Sequence, residues 1–184
     1  MSTDDQLEQL RQDVRYLQDR LAILDCVNRQ SRGQDRHDAE LMASAYHDDG
    51  IDEHGPIVNS GAEYGEWINQ AHTSGYTGHL HNLTTHTCEI DGDEAHCESY
   101  FMASMVGSDG TSISLICGRY LDRLERRKSA WRIAVRRCTI EWVLLGDGSL
   151  LPSGAFQGFV KGTWDQSDLS YARPMQFETS AARW

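Results

Sequence analysis

The sequence predicts an α+β fold in which helices come first and an antiparallel sheet follows. Three observations carry this. Leu7, Leu10, Val14, Leu17, Leu21, Leu24 and Asn28 recur at 3-4 spacing, which is one stripe of an amphipathic helix over residues 3–32. Asp91-Gly92 lies between two alternating runs, a strong hairpin signal. Two further long runs, 111–125 and 131–145, are joined by a turn at Lys128-Ser129-Ala130. Helices that precede such a meander must cover one face of it, which is an α+β layer arrangement.

Each element follows from local chemistry. The first helix carries Asp, Glu, Gln and Arg between its leucines. Its first three turns reach beyond a core of this size, so their leucines are expected to meet another subunit or the C-terminal tail. Gly33 is expected to end it. Asp38 is a plausible N-cap for a short helix over 39–46, with Leu41, Met42 and Tyr46 as apolar contacts. His47-Asp48-Asp49-Gly50 reads as a turn, and 51–55 as a short strand closed by Gly55-Pro56. Ser60-Gly61-Ala62-Glu63 is a capping box for a helix over 60–74 bearing Tyr64, Trp67 and Ile68. In the hairpin, the outgoing strand carries His79, His81 and His86, and the returning strand Glu98 and Tyr100. Strand periodicity puts His79, His81, Leu83, Thr85 and Thr87 on one face. His86 and His96 read as surface residues. Residues 146–184 read as a wrap of loops and short strands. The expected division is a helical extension (1–16), one domain (17–145) and a C-terminal wrap of that domain (146–184).

The composition excludes several function classes. With 28 acidic and 17 basic residues the formal net charge is −11, which disfavours nucleic acid or an anionic membrane as partner. No apolar run reaches membrane-spanning length. The first ten residues are acidic and polar, unlike a secretory signal. The five cysteines form no C-x-x-C pair, which suits a reduced, cytoplasmic setting better than a disulfide framework. Nothing matches a phosphate loop, a dinucleotide fingerprint or a nucleophile elbow.

The segments LAILDCVNRQSRGQDRHDAELMASAYHDDGIDEHG, GDEAHCESYF and GRYLDRLERRKSAWRIAVRR resemble the SnoaL-like branch of the nuclear-transport-factor-2-like superfamily, over about residues 17–145. The resemblance implies a cone: a curved sheet wrapped around helices, with a deep apolar pocket between them. Its members include scytalone dehydratase, bile-acid dehydratase, hexachlorocyclohexane dehydrochlorinase, ketosteroid isomerase, polyketide cyclases, aromatic lyases, and the non-catalytic β subunits of ring-hydroxylating dioxygenases. Catalytic members pair an aspartate after the first helix with a histidine on the hairpin strand; these fall on Asp35 and His81. A basic residue after the W-R-I motif falls on Arg136. Bile-acid-type dehydratases carry a tyrosine five residues before the aspartate, whereas this chain has Gln30.

Such a pair is a general base. The carboxylate holds one imidazole nitrogen and raises the basicity of the other. Arg136, Tyr100 or His54 would face the developing negative charge. Tyr46, His54, Trp67, His79, Glu98, Tyr100 and Trp142 are the candidate pocket residues. Alternatives stay open: His79 in place of His81 as base, Asp35 as a helix cap or a partner of Arg36 or Arg136, and Glu98 as half of an ion pair with Arg119 or Arg136. No cofactor is expected. No metal is expected either, because His79-x-His81 lacks the following glutamate of a cupin motif, with Thr85 and His86 in its place. The expected function is a cofactor-independent, dehydratase-like lyase acting on a small hydrophobic or aromatic molecule. An aldehyde-releasing lyase, an isomerase and a non-catalytic assembly subunit are the alternatives. A dimeric or trimeric homo-oligomer is the expected assembly.

Overall fold

The computed structural model describes residues 1–177 and 180–184. Helix α1 (Thr3–Asp35) opens at a reciprocal capping box: the Asp5 amide donates to Ser2 Oγ and the Ser2 amide to the Asp5 carboxylate. Helix α2 (Ala39–Ala43) starts at the Asp38 cap. Strands β1 (Tyr46–His54) and β2 (Ile57–Ser60) form a small hairpin, followed by α3 (Gly61–Gly75). Four long strands complete the sheet: β3 (Tyr76–Asp91), β4 (Glu94–Gly107), β5 (Ser112–Arg127) and β6 (Ala130–Asp147). The C-terminal segment contains a 3-10 turn, Leu169–Tyr171. No helix among the described residues is long and apolar enough to cross a membrane.

The sheet order is β2-β1-β6-β5-β4-β3. Strand β1 runs parallel to β6, and every other pairing is antiparallel. Register shifts at Leu83/His86, Cys117/Gly118 and Arg123/Leu124 bend the sheet around the helices into the α+β cone. Gly118 is required at one of them, since a Cβ there would lie 1.9 Å from the Thr139 carbonyl oxygen. The concave face of β4 shows the period of two: Ala95, Cys97, Ser99, Phe101, Ala103 and Met105 are buried.

Four local expectations change. The buried face of α1 is Ile23, Cys26, Val27, Gln30 and Gln34, while Val14, Leu17 and Leu21 are exposed, as are Leu7 and Leu10 in the first turns, where exposure was expected. Gly33 does not end α1; it lets α2 approach, because a Cβ would meet Met42 Cγ and N at 2.8 Å. Tyr46 and the 47–50 segment belong to β1, not to a helix end and a turn, because β6 captures this stretch: Tyr46 registers with Ile133, whose amide bonds the Ala45 carbonyl. The β3 register shift turns Thr85 and Thr87 outward and brings His86 inward to Ser99 Oγ at 2.8 Å, so His86 is not a surface residue.

Arg136 ties the layers together. Its guanidinium has no solvent exposure and donates through Nε and Nη2 to Asp122 on β5 (2.7 Å each), and through Nη1 to Gln30 on α1 (2.6 Å). Cζ lies 4.1 Å over the Tyr120 ring. A buried charge stripped of its partner is strongly destabilising. Asp122→Ala is expected to lower unfolding stability by about 3–5 kcal/mol in urea titration; a loss within 1 kcal/mol, by the same principle, would remove Arg136 as the tie between sheet and helix.

Candidate active site

Asp35 is the last residue of α1 and His81 lies on the edge strand β3. An edge strand leaves alternate amides unpaired. The Asp35 carboxylate accepts one of them, the His81 N–H, at 2.9 and 3.0 Å. The same carboxylate accepts from the His81 ring, Nδ1 to Oδ1, at 2.7 Å. Two bonds to one residue fix both the strand and the imidazole. On the far side, the Gln34 side-chain amide donates to His81 Nε2 at 3.1 Å. His81 is therefore the Nδ1–H tautomer, with its Nε2 lone pair directed inward.

Gln34 is the hub of the polar network behind this pair. Its Oε1 accepts from Gln30 Nε2 and from the Tyr64 hydroxyl, both at 3.3 Å. Gln30 in turn accepts from Arg136. Arg136 thus reaches His81 through two glutamines rather than by direct contact. Its Nε, Nη1 and Nη2 all donate to Asp122 or Gln30. The Tyr64 hydroxyl also lies 3.4 Å from His54 Nδ1, which sits 3.5 Å from Asp52. Asp52 accepts from the Tyr46 hydroxyl. Sequence reasoning passed over Gln34. The available signal was a polar pair, Gln30 and Gln34, at i,i+4 in phase with Ile23, Cys26 and Val27.

The other candidates divide by sheet face. Tyr46 and His54 line the interior, with the half-buried Trp67 ring 6.1 Å from His54. His79 is buried beside the pair, its Nε2 donating to the Gln34 carbonyl at 2.9 Å and lying 3.9 Å from Asp35. Tyr100 and Trp142 stand on the convex face, 42% and 50% exposed. Glu98 is there too, held at 2.7 Å by Arg119, which also binds Glu141. For Glu98 and Tyr100 the reason is the β4 register, which turns odd positions inward; Trp142 on β6 follows through its register with Cys117 and so with Met102. Asp35 and His81 border a cleft of about 680 Å³ between α1, the β3 edge and residues 160–170, lined by polar side chains such as Asn28, Ser31 and Arg32 together with Leu80, Leu83, Val160 and Leu169. Among the described residues, three groups bring potential metal-ligand atoms within 4.8 Å of one another: His37–His72–His79, His86–Cys88–Cys97 and Asp35–His79–His81.

The interior sets histidine charge by position. Burial holds His72 at about 2 and His79 at about 4, helped by neighbouring imidazoles, so both are neutral. Burial also opposes a charge on His54, but hydrogen bonds to Asp52 and Cys138 outweigh it and lift the ring to about 9. The groups facing His54 are Asp52 on its own strand, Tyr64 and Trp67 on α3, and Cys138 on β6. A raised histidine stabilises the fold fully below its unfolded value, and the contribution is lost as pH rises through the folded value. Unfolding stability is expected to fall by on the order of 2–3 kcal/mol between about pH 6.5 and pH 9, a slope that His54→Gln should flatten in denaturant titrations across that window.

The fold has solved counterparts. A hexachlorocyclohexane dehydrochlorinase of type 2 superposes with a TM-score of 0.68 at 22% identity, covering 74% of this chain and 94% of its own. A putative aromatic ring hydroxylase from Novosphingobium aromaticivorans gives 0.62 at 22% identity, covering 71% and 94%. A putative scytalone dehydratase from the same organism gives 0.60 at 17% identity, covering 78% and 91%. No curated protein matches the sequence. The model of the SnoaL-like domain matches residues 15–137, and with the cone, the helix-terminal aspartate and the hairpin histidine in place, the chain belongs to the SnoaL-like domain family.

Proposed function

We propose that this chain is a lyase whose own side chains supply acid–base catalysis, with His81 as the base and Asp35 as the group that orients it. The observation that carries the reading is the 2.7 Å bond from His81 Nδ1 to Asp35, with the opposite nitrogen directed inward. Asp35 fixes the tautomer and stabilises the imidazolium that forms when Nε2 takes a proton. Gln34 occupies that lone pair in the structure, so a substrate proton displaces the Gln34 amide. Tyr64 and His54, one bond further on, are the nearest groups able to donate to a developing oxyanion. Arg136 acts through Gln30 and Gln34 as a positioning residue. The favoured reaction is elimination of water or another leaving group from a small hydrophobic or aromatic molecule. Release of an aldehyde, or double-bond migration, uses the same proton abstraction. The similarity to a dehydrochlorinase and a putative scytalone dehydratase supports elimination. The free state of all five cysteines supports a reducing, cytoplasmic setting.

His81→Ala and Asp35→Asn are each expected to lower turnover of a responsive compound by roughly 10²–10⁴-fold, with the far-UV spectrum unchanged. A panel of hydroxylated and halogenated cyclic compounds, read for released water, halide or aldehyde, identifies the bond that breaks. Full activity in both variants would end this reading.

The assembly reading is a homo-oligomer. The C-terminal end of β6 presents Ile140, Trp142, Val143, Leu144 and Leu145 to solvent on its two faces, and α1 presents its leucines. Apolar surface of this extent usually meets a partner, and a second copy offers a self-complementary match. Light scattering is expected to give a dimer or trimer, and Trp142→Glu with Leu144→Glu to give a monomer that keeps its fold. A monomeric parent protein would rule the assembly out.

A further inference from the structure

His37, His72 and His79 come from three different elements: the turn after α1, the last turn of α3 and the start of β3. Their rings converge. The centroids of His72 and His79 lie 4.4 Å apart in a T-shaped contact, and those of His37 and His79 lie 5.3 Å apart, stacked. Each ring can present a nitrogen within 4.8 Å of the other two. Each also keeps one buried nitrogen without a hydrogen-bond partner: His37 Nε2, His72 Nδ1 and His79 Nδ1. Three orphaned nitrogens in one place are uncommon, since buried polar atoms are nearly always paired.

We propose that His37, His72 and His79 form a binding site for a divalent transition-metal ion of the zinc type, separate from the Asp35–His81 base. Two features of the site favour a cation over simple packing. His79 donates its other nitrogen to the Gln34 carbonyl at 2.9 Å, the outer bond that ligating histidines characteristically make. Trp164 stacks on His37 at 3.9 Å and lies 4.9 Å from His79, shielding the cluster with an apolar face. An all-imidazole set suits Zn²⁺, Co²⁺ or Ni²⁺ better than Mg²⁺ or Ca²⁺. Small ring rotations would bring the nitrogens to bonds of about 2.0–2.1 Å from one ion. Bound there, the ion would fasten α3 and β3 to the end of α1. It would also engage the His79 lone pair and leave His81 as the free base.

The test uses the full chain, stripped with a chelator and titrated with Zn²⁺ by calorimetry, then with Co²⁺ by visible absorption. The expected result is one ion per chain, with a Co²⁺ ligand-field spectrum that lacks thiolate charge-transfer bands. His72→Gln, and independently His37→Gln on its half-exposed turn, should weaken Zn²⁺ binding by at least about 100-fold while retaining the parental circular dichroism. His81→Ala and Cys88→Ser should bind as the parent does. Absence of stoichiometric binding, unchanged affinity in a folded His37 or His72 variant, or loss of binding in the His81 or Cys88 variant would each overturn the proposal. Thiolate bands would do so as well, by moving the ion to Cys88 and Cys97.

Discussion

A guanidinium without solvent contact constrains everything around it. Arg136 cannot leave the interior without leaving Asp122 as an unpaired buried charge. It cannot stay without an acceptor for Nη1, which Gln30 of α1 provides. The helix is therefore seated on the sheet by a polar contact as well as by Ile23, Cys26 and Val27. One turn further along α1, that contact is passed to Gln34 and then to His81. The orientation of His81 is inherited from the packing of the core, because one hydrogen-bond network joins the two.

The second constraint comes from the edge of the sheet. Among the described residues strand β3 has no neighbour beyond it, and the end of α1 lies against it. Asp35 closes this edge at His81 by taking its amide and its ring together. Arg36 anchors the C-terminal segment nearby, bonding the Thr163 carbonyl and Asp168 at 3.1 and 2.9 Å. The cleft beside the base is thus roofed by a segment that carries little secondary structure of its own. Its walls combine polar side chains with Leu80, Leu83, Val160 and Leu169.

The interior separates two classes of histidine. His54 keeps a proton because Asp52 and Cys138 stand beside it. His72 and His79 lose theirs chiefly to burial, with neighbouring imidazoles adding to it. This division places a neutral, electron-rich cluster on one side of Gln34 and a protonated ring on the other.

Apart from β2 and the first half of β1, the order of elements and the hairpin at Asp91-Gly92 were legible in the chain, because each rests on local spacing, and the pairing of Asp35 with His81 was implied by the family resemblance. The covered face of α1 was not. Leucine spacing pointed to one stripe, while the sheet buried another, led by Ile23, Cys26, Gln30 and Gln34. The His79-x-His81 pair is the natural place in the chain to look for a metal, yet His79 turns toward His72 and His37, residues from two other elements that no spacing along the chain brings together. Glu98, Tyr100 and Trp142 were assigned to the pocket by type, but register put them on the opposite face. Sequence by itself determined which elements form, because propensity, capping and turn chemistry act over a few residues. Which face of each element meets the others was decided only in the tertiary structure, where bulges and strand pairing shift the alternation by a single residue.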